Sequence, residues 1–370
     1  MARRNYRKSS KKIQPAVETL TFYLGATGSA TELPGFLPGQ STYYCDLSQV
    51  ASLANRRFYR QGLNWAVAGM RVNSTMVNPG TTVPTLDAPE GTVVVQKLPN
   101  TWVMSNAWEK GFRAWQKMNR EALEESESIK PKFLDFKIYM DSLHHSDKYG
   151  FVQNILPCVL DTDAVSPTTG YTDATPGEWI SSKYAIPATD GTGNVNEREV
   201  IAVGANFPGL GSSGLNAVSL IEGYASSRGL PDIKDPNAPD DSAGVSGNLP
   251  ANWLAAIFNE GTDQTTEVIE EMLGSNNIAP YPFENDGTNT DTMYPGGVNQ
   301  LDGLQLHSLE NITGTTVGGV TYLKGGSFPC GLIRIDVFNN NGTLDMLNML
   351  QIDLVPGTHR GYLAEPMTEM

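Results

Sequence analysis

The sequence predicts a mainly β chain: a single jelly-roll carrying helical and loop insertions. Three observations carry this. Segments of alternating apolar and polar residues recur from Val17 to Val355, only a few stretches have helical periodicity, and the connections are long and rich in glycine and proline. With 37 Gly and 23 Pro in 370 residues and 39% hydrophobic residues, the chain has both the turns and the apolar mass that a large β domain needs. That mixture fits a jelly-roll better than a doubly wound sheet.

Along the chain, Val17 to Leu24 (VETLTFYL) alternates as a first strand, followed by the loop-forming GATGSATELPGFLPGQ. Tyr43 to Leu47 is a second short extended piece. A strand with Leu63, Trp65 and Val67 on one face follows, and Thr92 to Leu98 is a compact buried strand. Ser105 to Ile129 has the strongest helical signal, with Trp108, Phe112, Trp115 and Met118 three or four residues apart. Ser105 is the expected N-cap and Pro131 the stop. Such an aromatic stripe predicts a helix packed against a sheet.

Lys132 to Asp141 alternates Leu134, Phe136, Ile138 and Met140 against Asp135, Lys137 and Tyr139, which predicts a half-buried strand. Further strands are expected near Glu178 to Ala185 and Glu199 to Val203, and helices over Leu215 to Ser227 and Trp253 to Leu273. Gly331 to Asn339 and Leu344 to Val355 flank Asn340-Asn341-Gly342, a strong hairpin signal. Four regions are therefore expected: a disordered basic arm over 1–15, jelly-roll strands over 16–203, an outward-projecting insertion over 204–326, and closing strands over 327–370.

Charge divides the chain in a second way. Arg3, Arg4, Arg7, Lys8, Lys11 and Lys12 lie within twelve residues that contain no acid. The whole chain has 26 Lys and Arg against 40 Asp and Glu; without these six cations the balance is 20 against 40, and the net charge passes from −14 to −20. A cationic segment of this density, with Tyr6 as its one aromatic, has too little to bury to fold alone. It is suited to neutralising phosphates, and the same composition also serves a nuclear localisation signal or a solubilising tail. Arg56, Arg57 and Arg60, interleaved with Phe58 and Tyr59, are a second candidate for gripping nucleic acid. The alternative for these three is pairing with acidic residues at a subunit contact.

Other signals are weaker. Gly209 to Gly214 matches GxGxxG, but five residues including Pro208 separate it from the preceding apolar run, and a loop stands where the ribose-binding acid should follow. His144 and His145 are adjacent, which in a strand sends them to opposite faces, so ordinary surface or interface histidines are expected. The acidic loops Asp232 to Asp241 and Glu284 to Gly287 lack the calcium-loop spacing. Cys45, Cys158 and Cys330 are few and far apart, expected as buried small residues rather than disulfides or zinc ligands. Asn73, Asn311 and Asn341 begin glycosylation sequons that are expected to stay unmodified. No apolar run is long enough for a membrane span, no secretory signal follows the basic start, and no catalytic, cofactor or metal motif is expected.

Tyr44 to Val72 (YCDLSQVASLANRRFYRQGLNWAVAGMRV) and Leu98 to Leu123 (LPNTWVMSNAWEKGFRAWQKMNREAL) resemble the capsid proteins of small circular single-stranded DNA viruses, the smacovirus group above all. The resemblance implies a viral capsid type jelly-roll, many copies assembled into an icosahedral shell, and a basic arm on a circular single-stranded genome. It also implies a virion protein made in the host cytoplasm, with nuclear entry open to it through the arm, and a host receptor that the sequence does not identify. No catalytic or cofactor residues come with it. A coat protein of a small RNA virus and a glycan-binding β-sandwich remain the alternatives, with an oxidoreductase third.

Overall fold

The computed structural model describes residues 16–27, 39–79, 84–124, 135–145, 154–160, 171–174, 179–187, 195–204, 216–228, 303–314 and 319–370. Its framework is a β-sandwich of eight antiparallel strands. Four come early: β1 (Thr19–Thr27), β2 (Gln40–Asp46), β3 (Leu63–Val77) and β4 (Glu90–Lys97). After α1 (Leu47–Asn55, between β2 and β3), α2 (Trp102–Glu124) and a four-residue turn α3 (Ser142–His145) come the short strands β5 (Cys158–Leu160), β6 (Tyr171–Asp173), β7 (Lys183–Pro187), β8 (Val195–Ile201) and β9 (Ala217–Ser219), then α4 (Leu220–Arg228). The framework resumes with β10 (Gln305–Thr313), β11 (Val320–Phe328), β12 (Leu332–Asn339) and β13 (Asp345–Leu354). The chain closes with β14 (Pro356–Gly357), β15 (Gly361–Tyr362) and β16 (Ala364–Pro366).

One sheet has the order β1-β13-β3-β11, with β16 beside β3; the other has the order β10-β4-β12-β2. Numbered along the chain, framework strand one pairs with eight, two with seven, three with six and four with five. This is the set of ladders that one long hairpin would have if bent between β4 and β10 and rolled on itself. Every other framework connection passes from one sheet to the other. Period-two alternation fills the space between them: Phe22, Trp65, Met70, Val72, Val93, Val95, Ile333, Ile335, Leu350 and Ile352 are buried there together.

The second sheet is buried on its other face as well. A separate apolar cluster joins Tyr44 and Leu332 to Trp108, Trp115 and Phe136 and to Tyr184, Val200 and Leu220 of the small β7-β8-β9 sheet and α4. The α2 stripe faces this cluster as its spacing predicts; Phe112 stacks on Trp108 at 5.0 Å and Phe136 lies against both. Gly111 at the middle of α2 is there for closeness. A Cβ on it would stand 2.5 Å from Leu220 Cδ2 and 2.8 Å from the Tyr184 hydroxyl, which donates to the Gly111 carbonyl at 2.7 Å.

Several expectations are corrected. The Asn-Gly signal is a loop but not a hairpin, because β12 and β13 belong to different sheets. Asn341 Oδ1 accepts from the Thr343 and Leu344 backbone N–H groups, folding the loop so that the chain changes sheet. Residues 305–313 and 320–326, placed in the 204–326 insertion by composition, belong to β10 and β11, so the framework resumes at Gln305. Ser105 lies inside α2, one turn beyond its start, and Pro131 lies outside the described residues. Phe136, Ile138 and Met140 are buried in alternation, yet the segment is irregular, touching its neighbour by one bridge from Tyr139 to Ile201. The Leu215 to Ser227 pattern yields β9 before α4, and Trp253 to Leu273 lies outside the described residues.

His144 and His145 are buried in α3, not exposed on a strand. His144 stacks on Tyr44 at 4.3 Å, its Nδ1 accepts from the Met140 N–H, and burial pulls its pKa down to about 3. His145 meets Glu199 at 2.5 Å. Cys45 and Cys330 are buried with their thiols pushed up by burial, while Cys158 is half-buried; none of the three is in a disulfide.

A candidate nucleic-acid interface at one end of the sandwich

Asp46 caps α1, accepting from the Ser48 and Gln49 N–H groups at 2.9 and 3.3 Å. The helix ends at Arg56, which takes the left-handed conformation (φ 52°). The loop that follows is held tightly. The Arg57 N–H bonds the Ser52 carbonyl, the Tyr59 N–H bonds Ser52 Oγ, and the Tyr59 ring is buried against Trp65 and Tyr362. Gln61 locks the far side, its amide bonding Asp46, the Ile138 carbonyl and the Ile138 N–H at 2.7 to 3.0 Å. A loop built this way displays its cations from a fixed backbone.

Arg56 and Arg60 are exposed and Arg57 is half-buried. The structure adds Arg360 to them, some 300 residues later: its guanidinium donates to the Phe58 carbonyl, and its own carbonyl accepts from the Tyr59 hydroxyl at 3.0 Å. None of these four arginines forms an ion pair with a described residue, and Arg57 Nη1 is buried without a hydrogen-bond partner among them. Nothing in the sequence near Arg360 announces it, because only folding brings the 356–362 turn to the end of α1.

The first described residues enter at the same place. The Val17 N–H bonds Asn55 Oδ1 at 3.0 Å, and the Tyr362 hydroxyl bonds the Val17 carbonyl at 2.6 Å. Arg3, Arg4, Arg7, Lys8, Lys11 and Lys12 lie outside the described residues, but the segment that carries them joins the sandwich directly beside Arg56. The described chain thus begins at the end of the sandwich that carries Arg56, Arg57 and Arg60.

No family model, curated protein or solved structure matches this chain. The geometry of this end therefore carries the functional reading.

Two acids accept hydrogen bonds from Gln61 at the end of this loop, Asp46 from its side-chain amide and Asp135 from its N–H. Burial raises the Asp46 carboxyl to about 6, against hydrogen bonds from Ser48 and Gln61 that favour its charged form. Burial raises Asp135 to about 7, partly offset by Lys137 and Arg60 and reinforced by Asp46. Near neutral pH Asp135 is thus divided between its two forms, and its proton decides how much of the cationic field it cancels.

The sign of the stability effect follows. Between the unfolded pKa near 3.8 and about 7 the folded chain holds a proton on Asp135 that the unfolded chain has lost, so this group's contribution falls as pH rises through that window. His144 acts oppositely: it is neutral in the fold down to about pH 3, so its contribution rises between there and its ordinary value near 6.5. Asp135→Asn separates them. Its urea midpoint relative to wild type should climb from about pH 5 to about pH 8, and a difference that stays flat would contradict the buried carboxyl.

The other sequence candidates do not join this end. The Gly209 to Gly214 motif and both acidic loops lie outside the described residues. Among the described residues, no group of three or more His, Cys, Asp or Glu side chains is placed to hold a metal ion, and no helix is long and apolar enough to cross a membrane.

Proposed function

We propose that this chain is a jelly-roll coat protein whose copies assemble into a closed icosahedral shell and hold a circular single-stranded DNA genome with a basic arm and the arginine-rich end that the arm joins. The observation that carries this is the pairing of framework strands one with eight, two with seven, three with six and four with five, in two packed sheets. A jelly-roll has eight strands in two such sheets. Jelly-rolls also occur in lectins and enzymes, so the fold by itself does not select a function. What favours a coat is the charge arrangement: a chain of net charge −14 gathers six cations and no acid in its first twelve residues, and sets Arg56, Arg57, Arg60 and Arg360 at one end of the sandwich without an ion pair to a described residue.

The mechanism is physical. An acidic body repels nucleic acid over most of its surface and admits it where Arg56, Arg57, Arg60, Arg360 and the arm release counterions from phosphates. One arm binds weakly; many arms in a shell act together on one polymer. Self-association is supported by β10, which presents Leu306 at 57% and Leu309 at 54% exposure and whose outer edge pairs with no described strand. Closed symmetry turns such surfaces into a shell. RNA would meet the same phosphate contacts, so nuclease sensitivity of the cargo identifies it.

Sedimentation velocity of the purified chain tests the assembly half. A dominant fast boundary of uniform particles is expected, and a small oligomer that persists across salt and pH would contradict it.

A further inference from the structure

We propose that the arginine-rich end also carries a nucleobase-stacking platform, built on Trp179 and Phe58 with Lys137 between them, which takes bases of a single-stranded nucleic acid. This rests on the polyanion-binding reading above and adds a second kind of contact to it. Three chain segments make the platform. The middle one, residues 135–138, is bonded on one side to Gln61, through the Ile138 N–H and carbonyl, and on the other to Ser182, whose N–H donates to the Lys137 carbonyl at 2.8 Å and whose Oγ accepts from the Lys137 N–H at 3.0 Å.

Loop 57–61 and residues 179–182 are thereby fixed as flanks. Lys137 Nζ lies 4.3 Å from the Trp179 ring centre and 5.9 Å from that of Phe58. Both rings are half-buried rather than enclosed, and Ile180 beside Trp179 is 78% exposed.

A platform of aromatic faces interleaved with cations suits single strands, whose bases are unpaired and whose phosphates follow at short intervals. A base taking the Trp179 face would shift the Lys137 ammonium onto an adjacent phosphate, so ring and charge are used together. Arg60 and Arg57 lie on the 57–61 flank, so the cations continue from the platform toward Arg56. A core tryptophan would be enclosed, and a purely electrostatic site would need no aromatic surface here.

The test uses the full-length chain and two probes of about 20 nucleotides: an oligothymidylate and an abasic oligomer with the same phosphate backbone. Wild type should bind the oligothymidylate about tenfold tighter than the abasic probe, the effect of one stacked base. Trp179→Ala should reduce that preference to about twofold or less while leaving abasic binding unchanged, and Trp179→Phe should retain most of it. Melting curves establish that each variant is folded. Equal wild-type affinity for the two probes overturns the platform and leaves charge binding intact, as does a Trp179→Ala loss that is equal for both. Absence of binding to either probe overturns the platform together with the polyanion reading.

Discussion

Replacing Arg334 by methionine is expected to lower the unfolding free energy by about 3–5 kcal/mol, seen as a fall in the urea midpoint at unchanged slope. Arg334 leaves β12 on the outer face of the second sheet, which α2 and residues 135–145 cover. Its guanidinium meets Asp141 at 3.2 Å and Asp336 at 3.1 Å, with both carboxylates almost wholly enclosed. The Tyr44 hydroxyl donates to Asp141 at 2.7 Å, and Thr42 Oγ1 donates to Asp336. Removing the cation strands two buried carboxylates, a larger cost than the loss of any single hydrogen bond.

The contrast is Arg71, whose pair with Asp353 at 3.0 Å lies on the open face of the first sheet with about a third of each side chain exposed. Truncating Arg71 should change stability by about 1 kcal/mol or less. Equal losses for the two arginines would contradict the covered second face.

Deleting Met1 to Lys12 is expected to reduce the nucleic acid held in shells several-fold while shells still form. The fold does not depend on the segment for its first anchor, since Val17 is held by Asn55 and Tyr362. The six cations supply up to six phosphate contacts, worth a salt slope of roughly −4 on a single strand. Substituting Arg56, Arg57 and Arg60 by glutamine in the deleted chain should remove most of the remainder. Nucleic acid content measured after nuclease treatment decides it: an unchanged content in the deletion variant contradicts the role of the arm.

Much of the framework is legible in the sequence because a strand with one enclosed face records its surroundings every second residue. The first strand, Thr92 to Leu98 and the two closing strands are found at nearly their observed limits for this reason. Pairing is not local. Asn341-Gly342 marks a turn equally well whether the chain returns along its own sheet or passes to the facing one, and here it passes.

β10 was hidden by its place at an edge, where Leu306 and Leu309 face outward and blur the alternation. The α1 helix was hidden by its short length, although Asp46 followed three residues later by Gln49 is a capping pattern that could have exposed it. Of the candidate site, Arg56, Arg57 and Arg60 are visible as a basic and aromatic run. Arg360, Lys137 and Trp179 are not, because each is an ordinary residue in its own segment and becomes part of a site only through the roll of the sheets and the hydrogen bonds of Gln61 and Ser182.

The most direct test of the coat-protein account is negative-stain electron microscopy of the purified recombinant chain, paired with its 260/280 nm absorbance ratio. The account predicts uniform closed shells with a nucleic-acid-rich ratio. Monomers or dimers at every salt and pH, with a protein-like ratio, would contradict it.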